Sequence, residues 1–167
     1  MVVDLFAIAL MLSILLCALV TGLLLGFAIV VMPGINKLSD KEFLLAFKHM
    51  DGIIQNNQPL FILIWVGSII SIIGSLITGT MNLSGNQLYL LWIGSTLYLF
   101  GLQLPTIRFN IPLNNTLQEL DILSLSESEL ETSRREFESP WNRWNRFRTV
   151  NGIVAVSILL LLLFQVN

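Results

Sequence analysis

Pro59–Gly79 reads PLFILIWVGSIISIIGSLITG, an unbroken apolar run without one ionisable side chain. Crossing about 30 Å of hydrocarbon as an α-helix takes about 20 residues, and this run supplies them. At about 100° per residue, Gly67, Ser68, Ser71, Gly74, Ser75, Thr78 and Gly79 fall on one side. Ile69, Ile70, Ile73, Leu76 and Ile77 fall mostly on the other. Small and hydroxylated residues let helices approach closely in lipid, while branched aliphatics face acyl chains. The run therefore reads as a membrane helix with a packing face and a lipid face.

Three more apolar runs flank it: Leu5–Met32, Leu88–Ile107 and Val150–Val166. The chain is 54% hydrophobic and 12% charged, about half the charge of an ordinary soluble domain. The expected architecture is all-α, a polytopic four-helix membrane bundle in one domain, 1–167. Spans are expected at about 5–32, 59–79, 88–107 and 145–166, with connections at 33–58 and 108–144. Ala18, Gly22 and Gly26 form a second small-residue stripe, read first as packing within the bundle and second as a homo-oligomer contact. Nothing basic precedes the first run, where Asp4 is the only charge. That run is much longer than a signal-peptide core and reads as a retained membrane helix.

The cations orient the bundle. Lys37, Lys41 and Lys48 lie between the first and second spans. Arg108, Arg134, Arg135, Arg143, Arg146 and Arg148 lie between the third and fourth or at their margins, which accounts for all 9 Lys and Arg residues. The positive-inside rule makes that side cytoplasmic and puts both termini outside the cytoplasm of a cell-membrane, multi-pass protein.

The two cationic connections carry short helices. Ser39 and Glu42 form a capping-box pattern. The helix that follows shares Phe43, Phe47, Met50 and Ile54 on one face, so it lies in the interface or closes the bundle's end. Ser126 with Glu129 suggests another cap, and Glu131 with Arg135 an i,i+4 pair. The acids around them read as a solvated face. The fourth helix is expected to start at Pro140 with Ser139 as N-cap.

Little soluble-enzyme chemistry is present. There is no Gly-rich phosphate loop, no cysteine pair and no nucleophile elbow. Cys17 is the single cysteine, placed in an apolar run as a packing residue, and one Cys with one His makes no structural metal site. The net charge of −2 gives no basis for nucleic acid as a partner. His49 is the only histidine, on the flank of the amphipathic helix, and reads as either a polar interface group or a base near neutral pH. Amides gather where the spans end, at Gln55–Gln58, Asn110, Asn114, Asn115, Asn142, Asn145 and Asn151. On a helical projection Trp141, Asn145, Arg148 and Gly152 share a narrow arc, while Arg143 and Arg146 point away. That arc is expected to face the bundle. Arg148 then either ties helix ends together or serves a site.

Three segments carry a resemblance to the anthrone oxygenase-like family of small four-span membrane proteins. They are Val31-Met32-Pro33-Gly34, Asn110-Ile111-Pro112-Leu113-Asn114, and Trp141-Asn142-Arg143-Trp144-Asn145-Arg146-Phe147-Arg148-Thr149. The resemblance implies oxidation of a lipophilic polycyclic phenol or quinone-like molecule by molecular oxygen, with no cofactor and no metal. On that reading Arg148 is a catalytic candidate, as is His49 by residue type alone, and Asn110, Asn114, Trp141, Trp144 and Asn145 are substrate-binding ones. Partners would be membrane lipid and a lipophilic small molecule. The competing reading is a non-catalytic membrane module that binds a lipid, a quinone or another membrane protein. A transporter ranks last, because the spans lack a midplane ionisable group.

Overall fold

The computed structural model describes residues 5–166, so Asp4 lies outside the described residues. It contains five helices and, among those residues, no strand. The helices are α1 (Leu5–Ile35), α2 (Asp40–Gln55), α3 (Pro59–Asn82), α4 (Gly85–Glu119) and α5 (Glu127–Val166). All but α2 are long and apolar enough to cross a membrane. Helix α1 packs along α3 and α5, and α5 along α4, whereas the α3–α4 seam is the thinnest in the ring.

The small face of α3 does what its residues allow. Ser68, Ile72, Ser75 and Gly79 are buried, and Ser13 of α1 shares a 2.9 Å hydrogen bond with Ser75. A Cβ on Gly79 would stand 2.3 Å from Leu91 and 2.7 Å from Phe6, so glycine is what lets three helices meet there. Gly152 plays the same part lower in the bundle, where a Cβ would stand 2.6 Å from Thr21 and 2.8 Å from Leu102. The stripe on α1 behaves otherwise. Ala18 and Gly22 are exposed, and nothing lies within 4 Å of where a Cβ would stand on Gly22 or Gly26. The expected packing of this stripe inside the bundle is thereby corrected: α1 turns Ser13, Cys17, Val20 and Thr21 inward instead.

Between α1 and α3, α2 folds across one end of the bundle. Its capping box is formed in both directions: Glu42 N–H donates to Ser39 Oγ at 3.4 Å, and Ser39 N–H donates to a Glu42 carboxylate oxygen at 3.1 Å. The Ser39 hydroxyl, at 2.6 Å, and the Ser39 N–H both donate to the Glu42 carboxylate and hold it below its ordinary range. Phe43, Leu44 and Phe47 are buried against Leu117, Phe137 and Trp141, so α2 closes the bundle's end. Each such side chain contributes about 1.5–3 kcal/mol when fully buried. Asn57, at φ 61°, takes the left-handed turn into α3, a conformation asparagine tolerates better than most residues.

Helix boundaries differ from the sequence-based expectation in three places. The turn between α3 and α4 is only Leu83 and Ser84. The third span runs on through Ile111–Glu119, past its expected end at 107, and the short helix expected at the Ser126 cap is the first part of the fourth. Helix α5 begins at Glu127 and carries Pro140 in its interior, so Ser139 caps nothing. Ser126 caps instead, its N–H and Oγ both donating to Glu129, at 2.8 and 2.6 Å. Proline deprives the Glu136 carbonyl of its helical donor, but Glu136 is exposed, where water can replace it. Burial of Leu130 and Phe137 holds the preceding turns in place. The expected Glu131–Arg135 pair is present at 3.9 Å, on the surface.

Candidate functional site

A cavity of about 200 Å³ opens where α2 meets the ends of the spanning helices. Its lining is largely apolar and aromatic. Phe27, Phe47 and Trp141 pack on one another, with ring centroids 5.1–6.3 Å apart. Phe61 and Trp65, stacked at 5.2 Å, supply another aromatic pair from the start of α3. Leu23, Leu24, Ile54 and Ile111 complete the apolar surface. The polar lining residues are Arg148, Thr106, Asn110, Asn114 and Asp51.

Local helix geometry brings several of them inward. Thr106–Asn110 and the preceding Leu99–Gln103 are wound as π-turns, as is Phe27–Val31 in α1. Such turns hold an extra residue and recur at functional sites. Pro105 lies between the two in α4 and cannot donate to the Gly101 carbonyl, which gives a local reason for the widened winding. Thr106 Oγ1 donates to the Leu102 carbonyl at 2.8 Å. Its lone pairs are left for Arg148.

Arg148 is 3% exposed. Its Nη1 donates to Thr106 Oγ1 at 2.9 Å and its Nη2 to Asn145 Oδ1 at 3.0 Å. Asn145 is in turn fixed by donating to the Leu24 carbonyl at 3.0 Å. The guanidinium carbon lies 5.9 Å from the Trp141 ring centroid. No carboxylate among the described residues pairs with it, and Nε is buried without a partner. Asn110 donates to the Trp141 carbonyl at 3.3 Å, and its Oδ1 is likewise unpartnered. A cation in apolar surroundings with only neutral partners is costly, by several kcal/mol after relaxation. The site therefore has unmet demand for an acceptor at Arg148 and for a donor at Asn110.

Asp51 of α2 also lines the cavity and is 4% exposed. Both its oxygens accept: Oδ1 from Asn114 at 2.7 Å, Oδ2 from Gln55 and Gln118 at 2.9 Å each. Asn114 completes the chain by accepting from Trp141 Nε1 at 2.9 Å. Sequence reasoning missed Asp51. The signal was there, because Leu44, Phe47, Asp51 and Ile54 follow helical spacing, which puts an acid in the apolar face of α2.

Of the residues expected to form a site, Arg148, Asn110, Asn114 and Trp141 meet at this cavity. Asn145 stands behind Arg148 and positions it. Trp144 stays outside, stacked on Phe109 at 3.6 Å and 5°. His49 is exposed and lines a separate groove with Lys48, Glu119 and Asp121, so the structure does not bring it to Arg148.

Fold and site together define a helical bundle of membrane-span dimensions whose aromatic-walled cavity holds one guanidinium and one carboxyl group. The anthrone oxygenase family profile matches residues 47–158, from Phe47 on α2 through most of α5, and the chain belongs to that family. No curated protein and no solved structure matches it.

Proposed function

We propose that the protein is a membrane oxygenase for a lipophilic, anthrone-like ring, working without a metal or organic cofactor. The observation that carries this reading is Arg148, buried in an aromatic-walled cavity with an unpartnered Nε. The reaction converts a ring methylene and O₂ into a ring carbonyl and water. The methylene must first lose a proton, which delocalises negative charge onto the ring oxygen. Electrons then pass from the anion to O₂, one oxygen atom bonds to carbon, and the other leaves as water. Arg148 offers fixed planar donors to the charged oxygen, and the cavity's low polarity strengthens that contact. Asn110 Oδ1 would accept from a hydroxyl on the same ring.

The membrane supplies the substrate. Phe61, Trp65 and Ile111 line the cavity beside the thin α3–α4 seam, and Ile111 is itself exposed, so a ring dissolved in lipid has a lateral path inward. We place α2 and the nine cations on the cytoplasmic side of a cell membrane, with both termini outside. Reporter fusions at the α3–α4 turn and at the C-terminus should both read extracytoplasmic; a cytoplasmic signal at either reverses the placement.

The activity is tested by supplying anthrone to purified protein and following O₂ uptake and anthraquinone formation. Wild type, Arg143→Gln and Arg146→Gln should convert it at similar rates. Folded Arg148→Gln should lose about 100- to 1,000-fold, the usual effect of removing an oxyanion donor. Equal rates in all four proteins would reject the role of Arg148, and no conversion above the spontaneous rate would reject the function.

A further inference from the structure

We infer that Asp51 is the base that removes the ring proton; this rests on the oxygenase reading above. Its surroundings fit a proton acceptor better than a tether. Asp51 is on the cavity wall, and both oxygens accept hydrogen bonds, the pattern of an ionised carboxyl group. All three donors are neutral amides, and no ion pair reaches it among the described residues. A tether alone gives little return for the desolvation cost of a buried charge. The three amides orient the carboxylate and fill three of its roughly four acceptor sites, which leaves one for a proton.

The cavity lining then carries two groups of opposite character. Arg148 receives the oxygen that gains negative charge, and Asp51 takes the proton whose departure creates that charge. The C–H bond breaks heterolytically, its electron pair stays on the ring, and an O–H bond forms on Asp51. Nothing is oxidised in this step and no co-reactant is needed. Gln118 and Gln55 are positioning residues for it. Gln118 is tied down by donating to the Lys48 carbonyl at 2.9 Å as well as to Asp51.

Because the step precedes O₂, it can be isolated. Anthrone in deuterated buffer without oxygen should exchange its methylene hydrogens faster with the wild-type protein than without it. Asp51→Asn should lose the protein-dependent exchange by about 100-fold or more, the range general bases contribute. It should still quench tryptophan fluorescence on binding anthraquinone within about twofold of wild type, because the hydrogen bonds of Arg148 go to Thr106 and Asn145 and not to Asp51. If Asp51→Asn does not fold, Asp51→Glu decides. It keeps the acid but moves it, and should cost about tenfold or more in exchange with binding retained. Exchange at the wild-type rate in a folded Asp51 variant overturns the assignment to Asp51 and leaves the Arg148 reading standing. So does loss of exchange in His49→Gln with retention in Asp51→Asn. Absence of exchange and of oxidation in the wild type overturns both.

Discussion

Arg134 and Arg148 sit on the same helix and are treated in opposite ways. Arg134 is answered on every side. It pairs with Asp40 and Glu138 at 2.9 Å each and donates to the carbonyls of Leu38 and Asn36. It also lies 4.4 Å from the centre of the Phe43 ring. Among the described residues Arg148 has two neutral partners, no carboxylate and one idle nitrogen. The first arrangement is complete in the folded chain and fastens the start of α2 to α5. The second leaves Nε without a partner, and that is the opening the proposed substrate would fill. A buried cation left underpaired in an otherwise well-packed bundle points to a ligand, because packing alone gives no return for its desolvation.

Breaking the Arg134 side should be a stability effect. Arg134→Gln removes two ion pairs at a partly buried site and should lower stability by about 2–4 kcal/mol, within the range for breaking such networks. Turnover per folded molecule should stay near wild type. Thermal unfolding in detergent, with activity normalised to folded protein, checks both halves. A stable but inactive variant would erase the contrast between the two arginines.

Sharpening the Arg148 side takes a smaller change. Thr106→Val keeps the shape of α4 but removes one of the two acceptors that aim the guanidinium. A hydrogen bond to a charged group is worth about 1.5–3 kcal/mol, part of which the re-aimed side chain recovers. Turnover should therefore fall by about 10-fold with unfolding little changed. An unaffected rate would mean that Thr106 does not position Arg148.

The smallest effect is expected at the cap of α2, next to the Arg134 clamp. The folded protein holds the Glu42 carboxyl below its unfolded value of 4.5 through Ser39. Its contribution is therefore present above that value and is lost as pH falls through the lower folded one. Hydrogen exchange at the first turn of α2 should accelerate slightly over that interval, and Glu42→Gln should remove the dependence. An unchanged profile in Glu42→Gln would show that the cap is not the titrating element.

Much of this was legible in one dimension. The period of 59–79 gave the packing face of α3, and the arc of Trp141, Asn145, Arg148 and Gly152 is buried as projected. Local patterns of this kind depend only on helical geometry. What escaped depended on partners far away in sequence. Arg134 meets Asp40 across 94 positions with no local mark, and Asp51 meets Asn114 across 63, where helical spacing marks the acid but not its partner. Pro140 was read by propensity as a helix start, but tertiary burial of Phe137 and Leu130 overrode it. The Ala18–Gly22–Gly26 stripe matched a packing motif, yet spacing alone could not say which face of α1 the neighbours would choose.

The most direct test is ligand binding at Arg148, scored apart from folding. Anthraquinone titrated into wild type, Arg148→Gln, Arg143→Gln and Arg146→Gln would be followed by tryptophan fluorescence, since Trp65 and Trp141 line the cavity. Arg143 and Arg146 are exposed, and their variants should bind as wild type does. Arg148→Gln should fold and bind at least about 10-fold more weakly, the loss of one charge-assisted hydrogen bond. A folded Arg148→Gln that binds like the other two, or one that simply fails to fold, would make Arg148 a fastening of helix ends like Arg134.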